Sequence, residues 1–200
     1  MRKIGLIFGI TMVLNCNSGK TPIQGETEWQ KTMNANFKDA SKSPLTDSDR
    51  KDFEGLDFFQ FDSLYVVKAY LELTPDSEYF NMRTTTNEVT KERVYGIINF
   101  EIKGKKLNLK VYQGEENLNT PGLENHLFLP FLDHTNGEET YGGGRYIDLS
   151  IPATDSILID FNKAYNPYCV YNENYSCPIV PRENYLDVRV EAGIQNYIKE

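Results

Sequence analysis

The sequence predicts a mainly β protein, a single antiparallel β-sandwich or barrel-like domain with one or two N-terminal helices. Three observations support this prediction. Apolar and polar residues alternate in six stretches beyond about residue 58, which is the period of a strand with one buried face. The connections between neighbouring stretches are short, as antiparallel pairing favours. The chain has 200 residues and 40% hydrophobic content, which suits one core, and no internal repeat divides it.

Two helical patterns precede the strands. Between residues 26 and 40 the apolar residues fall on one stripe of a helix: Trp29, Met33, Phe37 and Ala40. The opposite face has no cationic band, so we expect this helix to pack on the domain rather than on a membrane. Thr46, with Asp49 three residues on, predicts the cap of a short helix that ends near Gly55.

The predicted strands follow from the alternation alone. They cover residues 65–73, 94–102, 107–111, 147–151, 157–161 and 186–192. The turn Lys103-Gly104-Lys105 joins the second and third as a hairpin, and residues 152–156 separate the fourth from the fifth.

Residues 1–15 have the layout of an export signal. Arg2 and Lys3 precede an apolar stretch of eleven residues, and Cys16 stands at its end. A helix of this length spans about 16 Å, too little for a hydrocarbon core of about 30 Å. The predicted organisation is therefore a signal peptide (1–15), a flexible tether (16–25) and one domain (26–200).

Residues 13–16, Val-Leu-Asn-Cys, resemble the lipobox of bacterial lipoproteins, in which the cysteine is acylated. Asn15 departs from the small residue that this pattern favours, and a cleaved, soluble secreted protein is the alternative. The resemblance implies a membrane partner through a lipid on Cys16. It also implies a place in the cell envelope, and Asn17 favours the outer membrane of a Gram-negative bacterium.

The charge of the chain excludes one class of partner. The net charge is −8, and removal of residues 1–15 with Arg2 and Lys3 would leave −10. A domain so acidic, without a basic stripe, does not suit a phosphate backbone, so no nucleic acid is expected. The sequence also lacks nucleotide, zincin, nucleophile-elbow and calcium-loop motifs. The two histidines, His126 and His134, have no ligand spacing and are expected to be surface or hydrogen-bonding residues.

The first segment dense in candidate site residues is 133–148. Gly142, Gly143 and Gly144 permit unusual backbone and close approach of another group, and Arg145 follows them. By strand parity Arg145 shares the apolar face of residues 147–151, where an unpaired cation would be costly. Its partner is predicted to be a carboxylate such as Asp148 or Asp160, although parity puts Asp148 on the opposite face, or else an anionic ligand. The candidate residues of this segment are Tyr141, Arg145, Tyr146 and Asp148.

The second dense segment is 160–184. It is polar, rich in tyrosine and without periodicity, which fits either an ordered loop or a site for a small polar ligand such as a sugar. Its candidates are Asp160, Asn162, Lys163, Asn166, Glu183 and Asn184.

Cys169 and Cys177 lie in this second segment. With Cys16 assigned to a lipid they are the remaining pair, and in an oxidising compartment they predict a disulfide. A metal site and a catalytic thiol are the alternatives, although the spacing is wider than that of most zinc or redox pairs. No cofactor is expected, with zinc or another metal as the lesser possibility.

Long motifs in both segments resemble one protein family. They are residues 128–131 (FLPF), 135–148 (TNGEETYGGGRYID), 160–169 (DFNKAYNPYC) and 177–184 (CPIVPREN). They are similar to those of the domain of unknown function 1684 family, and the likeness runs from about Trp29 to Gly193. The resemblance implies a mostly β domain, often exported as a lipoprotein, with no established activity, substrate or cofactor. It also implies members that keep the cysteine pair without export, which adds weight to a metal-bound or reduced pair.

Two functional hypotheses follow from these observations. The first is a non-enzymatic ligand-binding or interaction module at the cell envelope. The second is a hydrolase or metal-assisted enzyme in which Arg145 binds an anion and Asp160 or Glu183 acts as acid or base. They differ in whether the polar residues of the two segments converge on one site.

Overall fold

The protein is described by a computed structural model that covers residues 25–197. Seven antiparallel strands form one sheet, which curls into half a barrel, and two α-helices precede it. The prediction of a mainly β, antiparallel domain with N-terminal helices is confirmed. The predicted signal peptide, Cys16 and all but the last residue of the predicted tether lie outside the described residues.

The elements are short and follow one another closely. The α-helices are α1 (Glu28–Lys38) and α2 (Asp47–Asp52). The strands are β1 (Val66–Leu73), β2 (Phe80–Arg83), β3 (Val89–Ile102), β4 (Lys105–Gly114), β5 (His126–Phe131), β6 (Arg145–Ser150) and β7 (Ser156–Asp160). Single turns of 3-10 helix span Ser63–Tyr65, Glu116–Asn119, Phe161–Lys163, Tyr168–Val170 and Arg182–Asn184.

The order of the strands is β6-β5-β4-β3-β1-β7, and β2 pairs with one end of β3. The predicted hairpin between β3 and β4 is present, with Lys103 and Gly104 both at positive φ. Two consecutive residues at positive φ give a turn whose twist matches that of the strands. The sheet is open, so β6 and β7 are its two edges.

One face of the curled sheet encloses the main core. In β1 the buried side chains are Val67, Ala69 and Leu71, which alternate with exposed ones as the sequence predicts. The inner residues of β3 to β7 complete this core, together with Phe161 and Ala164 just beyond β7. Burial of alternate residues on one face is therefore what selects the register of the strands.

The helix α1 lies where its apolar stripe predicts. Thr27 and Gln30 form a reciprocal cap at its start, and Phe37 is buried at its end. Phe37 packs in a second core with Leu56, Phe58 and Tyr171, which Trp29 and Met33 partly cover. The cap of α2 at Thr46 is confirmed, and the helix ends at Asp52. In the described part of the chain, neither helix has the length and hydrophobicity to cross a membrane.

Two predictions about strands need correction. Residues 186–192 form no strand, although Leu186, Val190 and Ala192 are buried in the main core. The backbone of this stretch forms hydrogen bonds with a loop instead of with a neighbouring strand: Val188 O accepts from His134 N at 3.0 Å, and Val190 N donates to the Asp133 carboxylate. The sequence also missed β2 and β5, and β5 shows no alternation because five of its six residues are buried.

Candidate functional site

Arg145 is a structural residue of the core. Its side chain is fully buried and donates to Asp133 Oδ2 at 2.9 Å, to Val190 O at 2.8 Å and to Ala192 O. Burial lowers the pKa of the Arg145 guanidinium, and the charge of Asp133 opposes this effect. The predicted position on the inner face is confirmed, but Asp148 and Asp160 are wrong as partners, because Asp133 fills that role. An anion cannot reach the guanidinium without opening the core.

The glycine triplet before Arg145 also has a structural purpose. Gly144 has φ +95°, and a Cβ built on it would lie 2.7 Å from Phe131 O. The predicted close approach is therefore real, but the approaching group is a neighbouring strand and not a ligand.

Two asparagines of the second segment attach loops to the sheet. Asn184 is fully buried: its amide donates to Lys110 O at 2.8 Å and to Pro130 O at 2.7 Å, and it accepts from Lys110 N. Asn162 exchanges two hydrogen bonds of 3.0 Å with the backbone of Asp62. Their polar groups are used within the protein, so neither is available to a ligand.

Three further candidates are placed apart from one another. Asn166 is buried and donates to Gln195 O at 2.8 Å. Glu183 is exposed and pairs with Lys110 at 3.2 Å, and its pKa is lowered, first by a backbone hydrogen bond. Asp160 accepts from Asn162 N at 3.1 Å and caps the helical turn after β7.

Four of the remaining candidates meet in one groove on the outer side of the sheet. Tyr146 and Asp148 of β6, together with Lys163 and Cys177, line a cavity of about 420 Å³. Six aromatic side chains form much of its lining: Trp29, Phe128, Tyr146, Tyr165, Tyr168 and Tyr175. We call this cavity the aromatic groove. An apolar concave surface with a few polar groups is typical of a small-molecule site.

A second cavity of about 480 Å³ adjoins the aromatic groove. It lies between the edge strands β6 and β7, and Leu158 and Asp160 line it from the side of β7. His126, Asp148 and Lys163 line both cavities, so they occupy the boundary between the two.

Asp148 is the polar centre of the aromatic groove. Its Oδ1 accepts from His126 Nε2 at 2.9 Å and from the Tyr165 hydroxyl at 3.0 Å. The hydrogen bond to Asp148 raises the pKa of His126, and burial raises that of Tyr165. Asn117 lies 3.1 Å from His126 Nδ1, which leaves Nε2 as the donor to Asp148 in the neutral ring.

A buried carboxyl group lies near this pair. Glu92 of β3 is 8% exposed, and burial raises its pKa to about 7. None of residues 25–197 donates a hydrogen bond to its Oε2. The charge of Glu92 adds to that of Asp148 in favouring a protonated His126.

Cys169 and Cys177 lie together beside the groove as free thiols, and not as the disulfide that the sequence predicts. The Cys169 N–H donates to Cys177 Sγ at 3.0 Å. Burial raises the pKa of Cys177 to about 12, so the thiol keeps its proton and is a poor nucleophile. Burial raises the pKa of Tyr141, which does not line the groove. Over residues 25–197 no group of three metal-ligating side chains comes together.

Sequence reasoning missed several residues of the groove, among them His126, Trp29 and Phe128. His126 was expected to form ordinary hydrogen bonds, which it does, but its position beside Asp148 depends on the pairing of β5 with β6. Trp29 was assigned to the packing stripe of α1, and it also lines the aromatic groove. The nearest signal for His126 and Trp29 was residue type, since neither lies within the two dense segments.

Comparison with known proteins gives a family but no activity. No curated protein matches the chain. An uncharacterised protein of Haloarcula marismortui, solved by solution NMR, is 30% identical, with a TM-score of 0.64 over 83% of this chain and 89% of the other. A family model described as a protein of unknown function, DUF1684, matches residues 51–195. The chain therefore belongs to the DUF1684 family.

Proposed function

We propose that this protein is a non-enzymatic binding module that holds a small ligand in the aromatic groove, at the cell envelope. The observation that carries the proposal is the groove itself, with six aromatic side chains around the Asp148 carboxylate. Its volume of about 420 Å³ falls within the range of small-molecule sites. The ligand is a small molecule with an apolar surface and at least one polar group.

The groove is built from parts that are already in place. The Tyr146 hydroxyl donates to Pro178 O, and the Tyr165 hydroxyl to Asp148. Cys177 is anchored by its backbone, which donates to Thr85 Oγ1 at 3.1 Å and accepts from Thr85 N at 2.8 Å. A site that needs little rearrangement loses little conformational entropy when a ligand binds.

The hydrolase alternative has less support from the geometry. Arg145 is enclosed in the core and Glu183 lies with Lys110 on another surface, so they cannot act together with Asp160. An acid–base reaction in the groove would instead rest on His126 and Asp148, which are hydrogen-bonded to each other. A hydrolysable ester or glycoside of a compound that binds would separate the two functions, since an enzyme would cleave it and a binding module would return it unchanged.

The experiment is a thermal-shift screen against neutral sugars, amino acids, carboxylates and organic amines, with the Tyr168→Ala variant beside the natural protein. A compound at ten times its Kd stabilises the folded state by about 1.4 kcal/mol, which raises Tm by roughly 3–6 °C for a chain of this size. We expect at least one compound to do so and Tyr168→Ala to reduce the shift by about half or more. Shifts that are unchanged in the variant, or none across the panel, would contradict a ligand site in the groove.

The envelope location is a separate proposal, supported by the lipobox-like residues 13–16. We expect Cys16→Ser to release the protein from the membrane fraction or to block its processing. Unchanged fractionation and unchanged mass would count against the lipid. The intact mass of the natural protein, measured under native conditions, also distinguishes the free thiols of the structure from the disulfide predicted from the sequence, since linkage of Cys169 to Cys177 removes two hydrogens. A bound metal would add its own mass.

A further inference from the structure

The rings of the aromatic groove stand at steep angles to one another. Phe128 and Tyr146 have their centroids 4.7 Å apart and their planes at 74°. Tyr146 and Tyr165 are 5.9 Å apart at 90°, and Tyr168 and Tyr175 are 5.4 Å apart at 75°. Rings in this arrangement surround a compact group from several directions. They do not form the single flat platform on which a sugar ring stacks.

Most polar groups of the groove are already paired within the protein. The hydroxyls of Tyr146 and Tyr165 donate to Pro178 O and to Asp148, and both ring nitrogens of His126 have partners. Among the described side chains, the hydroxyls of Tyr168 and Tyr175 and the indole N–H of Trp29 remain for a ligand, which is few for the several hydroxyls of a sugar. A ligand that needs no directional hydrogen bonds suits this surface better.

The Asp148 carboxylate keeps one oxygen for a ligand. Both of its hydrogen bonds end on Oδ1, none from residues 25–197 reaches Oδ2, and the side chain is 54% exposed. The ammonium group of Lys163, at the rim, lies 3.8 Å from Asp160, so its charge has a partner there. The net charge of −8 further favours the approach of a cation.

We propose that the aromatic groove binds an organic cation of the quaternary ammonium class, with its rings around the methyl groups and Asp148 as the counter-ion. This inference rests on the proposed function and names its ligand class. A quaternary ammonium has no N–H to satisfy, and the faces of Trp and Tyr rings attract its charge. The carboxylate supplies the charge partner that a partly desolvated cation requires, in competition with His126 when that ring is protonated.

Trp29 makes the test direct, because it is the single tryptophan of the chain and lines the groove. We would titrate the protein with choline and with 3,3-dimethylbutan-1-ol, in which a carbon replaces the charged nitrogen. Choline is expected to change the Trp29 emission saturably, and the neutral analogue to bind at least tenfold more weakly. Equal binding of the two, or no saturation with choline into the high millimolar range, would overturn the inference.

Two variants assign the effect to residues. Asp148→Asn is expected to weaken choline binding at least fivefold, and Tyr168→Ala to do the same through loss of a ring at the rim. Asp76→Asn, on the exposed turn after β1, is the matched control and should bind as the natural protein does. Thermal melting verifies that each variant is folded. Choline binding that survives both groove variants would also overturn the inference.

The results of the screen and of the choline titration together distinguish failure of the cation assignment from failure of the proposed ligand-binding function. If the screen finds a neutral or anionic compound whose thermal shift Tyr168→Ala at least halves, while choline has no effect, the groove is a ligand site and the cation assignment is wrong. If no compound binds, choline included, both proposals fail.

Discussion

Replacement of Asp133 by alanine is expected to lower the free energy of unfolding by about 3–5 kcal/mol, the range for removal of one partner from a buried ion pair. Both side chains of the Arg145–Asp133 pair are 0% exposed, so the substitution leaves a guanidinium without its counter-charge inside the core. It also removes the acceptor of Thr135 N and Val190 N. Chemical denaturation measures the loss, which corresponds to roughly 10 °C in Tm.

Two comparisons test the cause of this loss. Glu183→Ala breaks the exposed pair with Lys110 and is expected to cost no more than about 1 kcal/mol. The double variant Asp133→Ala/Arg145→Met removes both charges and should be more stable than Asp133→Ala alone. If the double variant is less stable than the single one, the unpaired charge is not the source of the effect.

The second large effect is expected at Gly144. Substitution by alanine forces a side chain onto a residue at φ +95° and puts its Cβ 2.7 Å from Phe131 O and 2.6 Å from Val180 Cγ2. Backbone strain of about 1–3 kcal/mol and overpacking of about 1–3 kcal/mol together predict a loss of about 2–6 kcal/mol. The unfolding free energy by denaturant titration gives the value.

Gly142 provides a control two residues away. A Cβ built there has its nearest neighbour at 3.8 Å, and its φ is not in the left-handed region. Gly142→Ala should therefore change stability by less than about 1 kcal/mol in either direction. A loss of stability for Gly144→Ala as small as that for Gly142→Ala would mean that the crowding at Gly144 is relieved by movement of its neighbours.

Most of the strands could be predicted, because the residues that alternate in hydrophobicity along the sequence are also the ones that are alternately buried in the structure. In β1 the inward residues alternate without exception from Val67 to Leu71, and a one-residue shift would expose them all. β5 could not be found in this way, since both of its faces are covered. The stretch from residue 186 to 192 was wrongly predicted as a strand. Its apolar residues alternate because alternate side chains are buried, but its backbone forms hydrogen bonds with the segment around Asp133 instead of with a strand.

The candidate site was predictable only in part, because several of its residues are far apart in the sequence and come together only in the folded protein. Strand parity correctly put Arg145 inward and Asp148 outward, and the tyrosine-rich segment supplied Tyr165 and Tyr168. The partner of Arg145 lies 12 residues earlier, in a segment without regular structure, so no periodicity points to Asp133. His126 joins Asp148 only because β5 and β6 pair in the observed register.

The strand β6 separates two kinds of selection within six residues. Its odd-numbered side chains, Arg145 and Ile147, face the core, while Tyr146 and Asp148 face the groove. Changes at the odd positions are expected to alter how much folded protein a cell retains. On the proposed function, a change at the exposed Asp148 would instead alter which ligand the groove binds, whereas Tyr146, which is buried, would affect both. Such a division would let relatives diverge in ligand preference at Asp148 without renewed adaptation of the core.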